Sequence, residues 1–507
     1  MLKHVKLGAI GLAAVMLGSL MAGCTKDGAP QNSTAQPGTS QTAEAKKPDL
    51  KALISYVNYD PNTYPAVLDR EKLTGYHVTY DMLPQDKPDD KLNIIMASGA
   101  EYDVIKVNKA QYSNFASQGA LSEITEDMIN KYAPNLKTAV SAETFASVKV
   151  NGKIYSIPAR SMDNVNNSLL VRGDWLEKLN VKAPTTTEEF ANMLKLFKEK
   201  DPGQLGAVNL PFTIDGSGPM IENLLGAFGI ANEWNVKDGQ LVARVLDPNF
   251  KEYLAFVTDL YKQGLMEKEF PTNKRANVVE KFTSGKTGVI VAGWWEYPSL
   301  PDALLKNVPT AKPVFLAPLK GKDGNAGLSM VSDIGINAIP KTSKNSEHVL
   351  RWVNAGLDKE NFKNLVIGTE GVDYSVKDGS YIPIQPAFND HRLNANNFLF
   401  GSDEKNYPAY WQARVRKDDR LLAAWQFMNE KQPAEAKKLD VMNLQVGLPE
   451  YSKNKTSLTT MVSDYAIKVI LGSDTLANYD AFVAKWKAAG GEAVNKEVNE
   501  WYKTMKK

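Results

Sequence analysis

Asn151-Gly152-Lys153-Ile154-Tyr155-Ser156-Ile157-Pro158 combines a turn and a strand near the end of the first third of the chain. Asn-Gly is a strong turn signal, and the residues after it predict a short strand that Pro158 ends. On either side of this stretch, predicted strands alternate with predicted helices. That alternation is the main indication of the fold class.

Towards the N-terminus, three strands and one helix are predicted. Apolar residues place the strands at 53–57, 76–80 and 102–107. A helix lies between the second and third strands, and Gly99 is placed to end it. This order is typical of a parallel or mixed sheet with helices on its faces.

Towards the C-terminus the same pattern continues. A strand is predicted at 168–171, and the helix after it is capped by Thr185 with Glu188 or by Thr186 with Glu189. The remaining elements are a helix near 251–263, strands at 287–292 and 335–339, a helix capped by Ser346, and two C-terminal helices split by Gly490-Gly491. Four aromatic residues on helical stripes are predicted core: Trp352, Phe482, Trp486 and Trp501.

The first residues predict export and a lipid anchor. A basic start precedes an apolar run, 7–21, that is too short for a membrane span. Met21-Ala22-Gly23-Cys24 resembles a bacterial lipobox, in which the signal peptide is cut before the cysteine and the thiol becomes lipidated, with palmitate among the expected fatty acids. The alternative is an ordinary secretory signal, but an unpaired cysteine is unusual in an exported protein. We expect a signal peptide over 1–23 and an anchor at Cys24 on the extracellular face of the cell membrane.

A tether is predicted between the anchor and the folded part. Residues 25–47 contain no apolar side chain larger than alanine. Such a segment cannot bury enough surface to offset its conformational entropy, so 24–47 is expected to be disordered. The folded part then begins near Pro48.

Composition excludes several classes of function. Without the signal peptide the chain has 58 basic and 58 acidic residues, which argues against nucleic acid as a partner. With Cys24 acylated no thiol remains, and His77, His348 and His391 are the only histidines left. We therefore expect no cofactor, no catalytic cysteine and no histidine metal site.

Six motifs in a fixed order resemble the extracellular solute-binding proteins of bacterial ABC importers, in the branch of large oligosaccharide-binding lipoproteins. They are Asn-Gly-Lys-Ile-Tyr-Ser-Ile-Pro (151–158), Val-Arg-Gly-Asp-Trp-Leu-Glu-Lys-Leu (171–179), Pro-Thr-Thr-Thr-Glu-Glu-Phe (184–190), Gly-Lys-Thr-Gly-Val with Gly-Trp-Trp-Glu (285–289 and 293–296), Gly-Thr-Glu-Gly-Val-Asp-Tyr (368–374) and the tail 479–502. Each motif alone is weak, but together they span essentially the whole mature chain.

The resemblance implies an α/β, two-lobed periplasmic-binding-protein-like fold (type II) with hinge strands and a ligand cleft between the lobes. The expected first lobe is 48–157 with 330–370, and the expected second lobe is 158–322 with 380–507. The chain would cross between lobes near 157–160, 323–331 and 368–380. The implied partners are an oligosaccharide, the membrane subunits of an ABC permease, and the membrane itself through the lipid on Cys24. The protein would act as a monomer and would not be an enzyme.

Two adjacent tryptophans are the strongest candidates for a sugar site. Sugars bind through aromatic faces and through polar groups that meet their hydroxyls. Trp294 and Trp295 follow a predicted strand, and successive side chains of a strand cannot both enter one core face. In the family that the motifs resemble, a Trp at the end of this strand stacks on the ligand, and Trp295 matches it best. The alternative is that one Trp lies in the core and the other at the edge of a lobe, without a ligand role.

Further candidates are polar and aromatic residues beside the expected hinge. Arg160, Asp163 and Asn164 follow Pro158 and could hold sugar hydroxyls, or they could form an internal ion pair in an exposed loop. Asp333 precedes a predicted strand and could accept from a ligand or cap a turn. Three aromatic residues in loop-like surroundings, each able to serve packing instead, complete the set: Trp234, Tyr374 and Trp411.

Two stretches are similar to known binding motifs but lack residues that those motifs require. Ser284-Gly285-Lys286-Thr287 is similar to the end of a phosphate loop, but Glu280 replaces the required first glycine. Many members of the resembled family carry a calcium loop after the capped helix, whereas here Asp201 is the only carboxylate between 200 and 211. Calcium requires several carboxylates among its six to eight oxygens, so no calcium is expected there.

Two other functions stay open on sequence alone. A surface glycoside hydrolase or polysaccharide lyase would also need aromatic residues and acids in a cleft, and a hydrolase needs two carboxyl groups about 5 to 9.5 Å apart. The acidic residues are dispersed, and none is paired with a nucleophile or base motif. A sugar sensor that partners a membrane kinase would keep the fold and change only the role.

Overall fold

The computed structural model describes residues 47–99 and 101–505. The predicted signal peptide, Cys24 and the tether up to residue 46 lie outside these residues. The strands are β1 (Leu50–Ile54), β2 (Val78–Met82), β3 (Val104–Val107), β4 (Lys149–Val150), β5 (Lys153–Ile154), β6 (Ser156–Arg160), β7 (Asn164–Val165), β8 (Asn167–Arg172), β9 (Leu210–Phe212), β10 (Trp234–Lys237), β11 (Gln240–Ala243), β12 (Thr287–Gly293), β13 (Pro313–Phe315), β14 (Leu328–Val331), β15 (Ile334–Ala338), β16 (Tyr374–Lys377), β17 (Ser380–Pro383) and β18 (Lys437–Leu439).

Helices connect most of these strands, and within the described ranges none is long and apolar enough to cross a membrane. The α-helices are α1 (Pro65–Thr74), α2 (Pro88–Ala97), α3 (Lys109–Ser117), α4 (Glu126–Tyr132), α5 (Pro134–Ala139), α6 (Ala142–Ser147), α7 (Gly173–Leu179), α8 (Thr187–Lys200), α9 (Glu222–Ala227), α10 (Pro248–Lys262), α11 (Arg275–Thr283), α12 (Ser299–Asn307), α13 (Ser346–Gly356), α14 (Lys359–Ile367), α15 (Ala387–Arg392), α16 (Tyr407–Val415), α17 (Asp419–Asn429), α18 (Pro449–Leu471), α19 (Tyr479–Trp486) and α20 (Glu492–Met505).

The first lobe is built on a five-stranded sheet in the order β2-β1-β3-β15-β6. β1 is parallel to β2 and β3, whereas β15 is antiparallel to β3 and β6. Helices cover the sheet, which explains why β1 is apolar and buried at four of its five positions. Trp352 on α13 is fully buried here, as predicted. Ser346 is the first residue of α13 and Asn345 is its N-cap, so the predicted cap was one residue off.

The second lobe is built on a four-stranded sheet in the order β13-β8-β12-β9. α8 packs on it through Phe190 and Phe197, which are fully buried. Of the two predicted caps, the structure has Thr186, whose hydroxyl accepts from the amide of Glu189 at 3.1 Å. The C-terminal helices α18, α19 and α20 contribute to the same core, and Phe482 and Trp486 are buried in it as predicted.

A buried ion pair anchors β8 to α7 in this lobe. The Arg172 guanidinium donates to both carboxylate oxygens of Asp174, from Nε at 2.8 Å and from Nη2 at 2.6 Å. Both side chains are almost completely buried, at 2% and 6% exposed. The Val-Arg-Gly-Asp-Trp motif is therefore a structural anchor, because its arginine and aspartate neutralise each other inside the lobe.

A three-stranded sheet in the order β18-β14-β7 links the two lobes. Along the chain, β7 comes after β6 of the first lobe and before β8 of the second lobe. In the same way, β14 comes after β13 of the second lobe and before β15 of the first lobe. The chain thus crosses between lobes at 161–166 and again at β14, close to the expected crossings. β18 adds a third crossing, parallel to β14.

The third crossing comes later in the chain than expected, near β18 and not near 368–380. Residues between 380 and 413 pack in the first lobe, because their large aromatic side chains bury themselves against its helices. Phe388, Phe400, Tyr407 and Tyr410 lie in the same hydrophobic cluster as β1 and α13. The segment 380–413 therefore belongs to the first lobe, whereas it was expected in the second lobe, 380–507.

Gly226 of α9 lies against the start of the linking strand β14. A Cβ at this position would lie 1.9 Å from the carbonyl oxygen of Gly327. We expect Gly226→Ala to lower the free energy of unfolding by about 1–2 kcal/mol, since overpacking outweighs the helix preference of alanine. Denaturant unfolding measures it, with Gly335→Ala as control, because a Cβ there meets only ordinary contacts from 3.4 Å. Equal stability of the two variants would contradict the prediction.

Candidate functional site

Three adjoining cavities lie beside the linking sheet and form the interlobe cleft. The first cavity, about 370 Å³, includes Arg160, Asp163, Glu404, Tyr407 and Lys437. The second cavity, about 390 Å³, includes Asn164, Asn166, Asp333, Tyr407, Trp411 and Asn443. The tryptophan cavity, about 390 Å³, includes Trp294, Trp295, Trp411, Arg414, Lys417 and Asp418. Each cavity shares lining residues with the next, so the three adjoin along the linking sheet. The volume of each one is typical of a small-ligand cleft.

Trp294 and Trp295 divide their roles at the end of β12. Trp294 is only 8% exposed and packs with Trp425 and Leu328 beside the linking sheet. Trp295 is 50% exposed, and its ring stands perpendicular to that of Trp294, with centroids 5.7 Å apart. Both residues belong to a 3-10 helix, Trp294–Glu296, that follows β12, so it is this helix and not strand alternation that sends one ring into the core and leaves the other exposed at the tryptophan cavity.

Two neighbours hold Trp295 in place. A Cβ on Gly293 would lie 2.6 Å from the Trp295 ring, so only glycine lets the ring approach the strand this closely. Glu296 accepts two hydrogen bonds from Nη2 of Arg275, at 2.7 and 2.6 Å, and a third from the backbone amide of Gly293. These contacts constrain the backbone on both sides of Trp295.

Unpaired indole donors line the same end of the cleft. The Nε1 atoms of Trp294 and Trp411 are buried and have no hydrogen-bond partner among the described residues. A buried donor without an acceptor costs free energy. Nε1 of Trp175, Trp352 and Trp501 is likewise buried and unpaired among the described residues, so these unpaired donors do not by themselves mark a ligand contact.

Arg160 and Asp163 form an ion pair in the first cavity. Nη2 of Arg160 lies 3.1 Å from each carboxylate oxygen of Asp163, and its Nε donates to Ser332 Oγ at 3.2 Å. The sequence left open whether these residues hold sugar hydroxyls or form an internal ion pair. The structure has the ion pair, and both residues also line the cavity. Paired in this way they present polar atoms to a ligand without a net charge.

Asn164 and Asp333 line the second cavity, with their own partners. Asn164 is 8% exposed, and its Oδ1 accepts from the indole N–H of Trp425 at 3.0 Å. The Asp333 side chain is exposed and lies 3.1 Å from the Lys109 amine. Asn164 therefore chiefly joins α17 to the linking sheet, whereas the Asp333 carboxylate is accessible.

Trp234 and Tyr374 do not lie in the cleft. Trp234 is 2% exposed in the core of the second lobe, and Tyr374 is 1% exposed in the core of the first. Neither offers a ring face to a ligand. The sequence reasoning overrated both residues because it read their surroundings as loops, whereas each begins a hairpin strand, β10 or β16, that packs on a lobe.

Several cleft residues come from a segment that sequence reasoning had placed in the second lobe. Tyr407, Trp411, Gln412 and Arg414 lie on α16, and Trp425 lies on α17. In the sequence, the aromatic run Tyr407-Pro408-Ala409-Tyr410-Trp411 was the feature that could have indicated a binding role for this segment.

Burial raises the pKa of Tyr407 and lowers the pKa of Arg414.

The two rejected motifs have structural roles. The carboxylate of Asp201 accepts from the amide of Gly206 at 2.7 Å and so closes its own loop. Lys286 pairs with Glu280 at 3.0 Å, just before β12. No group of three or more His, Cys, Asp or Glu that could hold a metal ion occurs in residues 47–99 and 101–505.

Comparison with known proteins points in one direction. The family model described as bacterial extracellular solute-binding protein matches residues 58–361. The lipoprotein LipO of Bacillus subtilis is 27% identical over 462 residues, covering 87% of this chain and 89% of that protein. The polygalacturonan/rhamnogalacturonan-binding protein YtcQ of the same organism is 25% identical over 490 residues, or 92% and 94%. The ABC-transporter substrate-binding protein FusA of Streptococcus pneumoniae, solved with kestose, has a TM-score of 0.66 at 21% identity over 90% of this chain and 99% of that one.

Proposed function

Because this chain belongs to the bacterial extracellular solute-binding protein family, we propose that it captures an oligosaccharide in the interlobe cleft and delivers it to the membrane subunits of an ABC importer. The observation that carries this proposal is the half-exposed ring of Trp295, in a cavity that also contains Trp411 and the polar side chains of Arg414, Lys417 and Asp418. An apolar ring face with adjacent polar atoms is the combination that sugars require. Relatives whose names state a saccharide ligand support the same class.

Closure of the cleft is the signal that such a protein gives. The cleft draws Trp295 from the second lobe and Tyr407 and Trp411 from helix α16, which packs in the first. A ligand that touches both sides gains more contacts when the lobes approach, so it stabilises the closed form. The linking strands β7, β14 and β18 are the elements about which the lobes would rotate.

A lipid anchor on Cys24 fits this role. The Met-Ala-Gly-Cys sequence resembles a lipobox, and the relative LipO is named a lipoprotein. Acylation, with palmitate among the chains, would hold the binding protein on the extracellular face of the membrane, next to the permease that it serves. The protein would act there as a monomer.

Binding without cleavage is the activity we infer. Three of the four cleft carboxylates have cationic partners: Asp163 with Arg160, Asp333 with Lys109, and Asp418 with Arg420. A glycosidase needs one carboxyl group that is protonated and a second close by. Of these four carboxylates, Glu404 alone has no ion-pair partner in the described part of the chain. Recovery of the ligand at its original length is the measurement that separates binding from cleavage.

The test is ligand binding followed by recovery of the ligand. Purified protein is heated with neutral and acidic oligosaccharides of plant and microbial origin while tryptophan fluorescence is recorded. A true ligand raises the melting temperature because it binds the folded state only, and it should be recovered at its original length. Shortened sugar would establish an enzyme, and the absence of a shift with every oligosaccharide would refute the proposal.

A further inference from the structure

The tryptophan cavity contains two cations without an anionic partner. Arg414, near the end of α16, donates to the backbone oxygens of Arg392 and Leu393 and to Oδ1 of Asn396 at 3.1 Å. All three acceptors are neutral. Lys417 lines the same cavity and makes no hydrogen bond or ion pair with any described residue through its amine.

The only acid of this cavity, Asp418, is already engaged. Its carboxylate accepts from the Arg420 side chain at 3.1 Å and from the backbone amides of Arg420 and Leu421, at 2.8 and 3.2 Å, at the start of α17. Arg420 also reaches Asp302. Asp418 therefore caps a helix and pairs with Arg420; its charge also acts on the neighbouring Lys417, but it forms no ion pair with Lys417 or Arg414.

The two cations also disfavour each other. Burial lowers the pKa of Arg414, and partial burial together with the charge of Arg414 lowers the pKa of Lys417. A carboxylate placed between them would reverse both effects, because charge-assisted hydrogen bonds favour the charged forms.

The first cavity carries no such excess of positive charge. Its lining has two cations and two anions, of which Arg160 pairs with Asp163. The Lys437 amine donates to the backbone oxygen of Asn429 at 2.8 Å, and Oε1 of Glu404 is buried without a hydrogen-bond partner among the described residues. The formal charges of the first cavity therefore cancel, whereas the tryptophan cavity has two cations and one acid.

We propose that the tryptophan cavity binds a carboxylate-bearing sugar, such as a uronic acid residue, with Lys417 and Arg414 facing the carboxylate and Trp295 against the sugar ring. This inference rests on the proposed capture of an oligosaccharide and adds the chemical class of the residue at one end of the ligand.

The test compares an acid with its own ester. Calorimetric titrations of the full chain use oligogalacturonate and oligomannuronate, each beside its methyl ester and beside a neutral oligosaccharide. We expect an acid to bind at least tenfold more tightly than its ester, with an advantage that shrinks as salt rises. Lys417→Gln should remove about tenfold of the affinity for the acid and leave that for the ester unchanged. Lys431→Gln, an exposed lysine outside the cleft, is the matched control and should change neither.

Three results would overturn the inference. An ester that binds as tightly as its acid, or an equal effect of Lys417→Gln on both, would show that the carboxylate is not recognised. Binding of a neutral oligosaccharide but of neither acid would refute the acidic class and leave the proposed function standing. If no oligosaccharide bound at all, the proposed function itself would fail, and this inference with it.

Discussion

Replacing Trp295 with alanine is expected to weaken oligosaccharide binding by about 30- to 150-fold, which corresponds to about 2–3 kcal/mol. The ring is half exposed in the free protein, so the folded state depends little on it. A ligand that covers the ring would lose its largest apolar contact at the centre of the tryptophan cavity. Isothermal titration of the variant with the ligand found in the thermal screen measures the loss.

Two further variants separate ring contact from general disturbance. Trp295→Phe keeps an aromatic face and should recover much of the affinity. Val236→Ala removes a side chain of similar exposure, 49%, on the β10–β11 hairpin away from the cleft, and should bind normally. If Trp295→Ala bound the sugar as well as the unaltered protein does, the ring would not contact the ligand and the site would have to be placed elsewhere in the cleft.

Replacing Asp174 with alanine is expected to lower the free energy of unfolding by about 3–5 kcal/mol. The substitution leaves the Arg172 guanidinium buried, at 2% exposed, without its counter-charge. It also removes the acceptor for the backbone amide of Lys312, which lies 3.1 Å from Asp174 Oδ1. Denaturant unfolding gives the change, and a loss below about 1 kcal/mol, the range of exposed pairs, would contradict it.

The chain offers a matched control and a rescue for this prediction. Glu177, on the same helix α7, pairs with Lys312 at 2.7 Å, but both side chains are more than 60% exposed. Glu177→Ala should therefore cost under about 1 kcal/mol, because water screens such a pair. The double variant Arg172→Met/Asp174→Leu should recover most of the stability that Asp174→Ala loses, since it leaves no unpaired buried charge.

The same pair gives the stability a defined dependence on pH. Burial alone would raise the pKa of Asp174, but hydrogen bonds from Arg172 and its charge outweigh burial and lower it. A carboxyl group whose pKa is lower in the folded state stabilises the fold above its unfolded value, about 3.9, and this contribution is lost as pH falls through the folded value. Asp174→Asn should lack this part of the acid transition.

The features that the sequence predicted are those that short stretches of chain determine. The sequence predicted that Trp294 and Trp295 would not share one core face, and one is buried and the other exposed, although they lie in the 3-10 helix after β12 and not on the strand. The cap of α8 by Thr186 follows from four consecutive residues. Arg160 and Asp163 are three residues apart and pair with each other. In each case the partners are close in sequence, so the pattern contains the information.

The residues that sequence reasoning misplaced depend on distant partners. Trp411 and Lys417 reach the cleft only because α16 packs beside α14 and β17 in the first lobe. Trp234 and Tyr374 are buried by cores whose other members lie far away in the chain. Apolar periodicity shows that a residue is covered, but it does not show by which lobe, so the boundary near 380 and the far wall of the cleft could not be predicted.

The central place of β15 in the first sheet governs how the polypeptide acquires its structure. β15 pairs with β3 on one side and β6 on the other, yet all four strands of the second-lobe sheet lie between β6 and β15 in the chain. Until residue 338 has been made, β3 and β6 have no neighbour at those edges, and such edges invite aggregation. The second lobe in turn lacks Phe482 and Trp486 until almost the last residue has been made. Contacts of such long sequence separation form slowly. During synthesis the second lobe is therefore completed after the first, although all four strands of its sheet precede β15 in the chain.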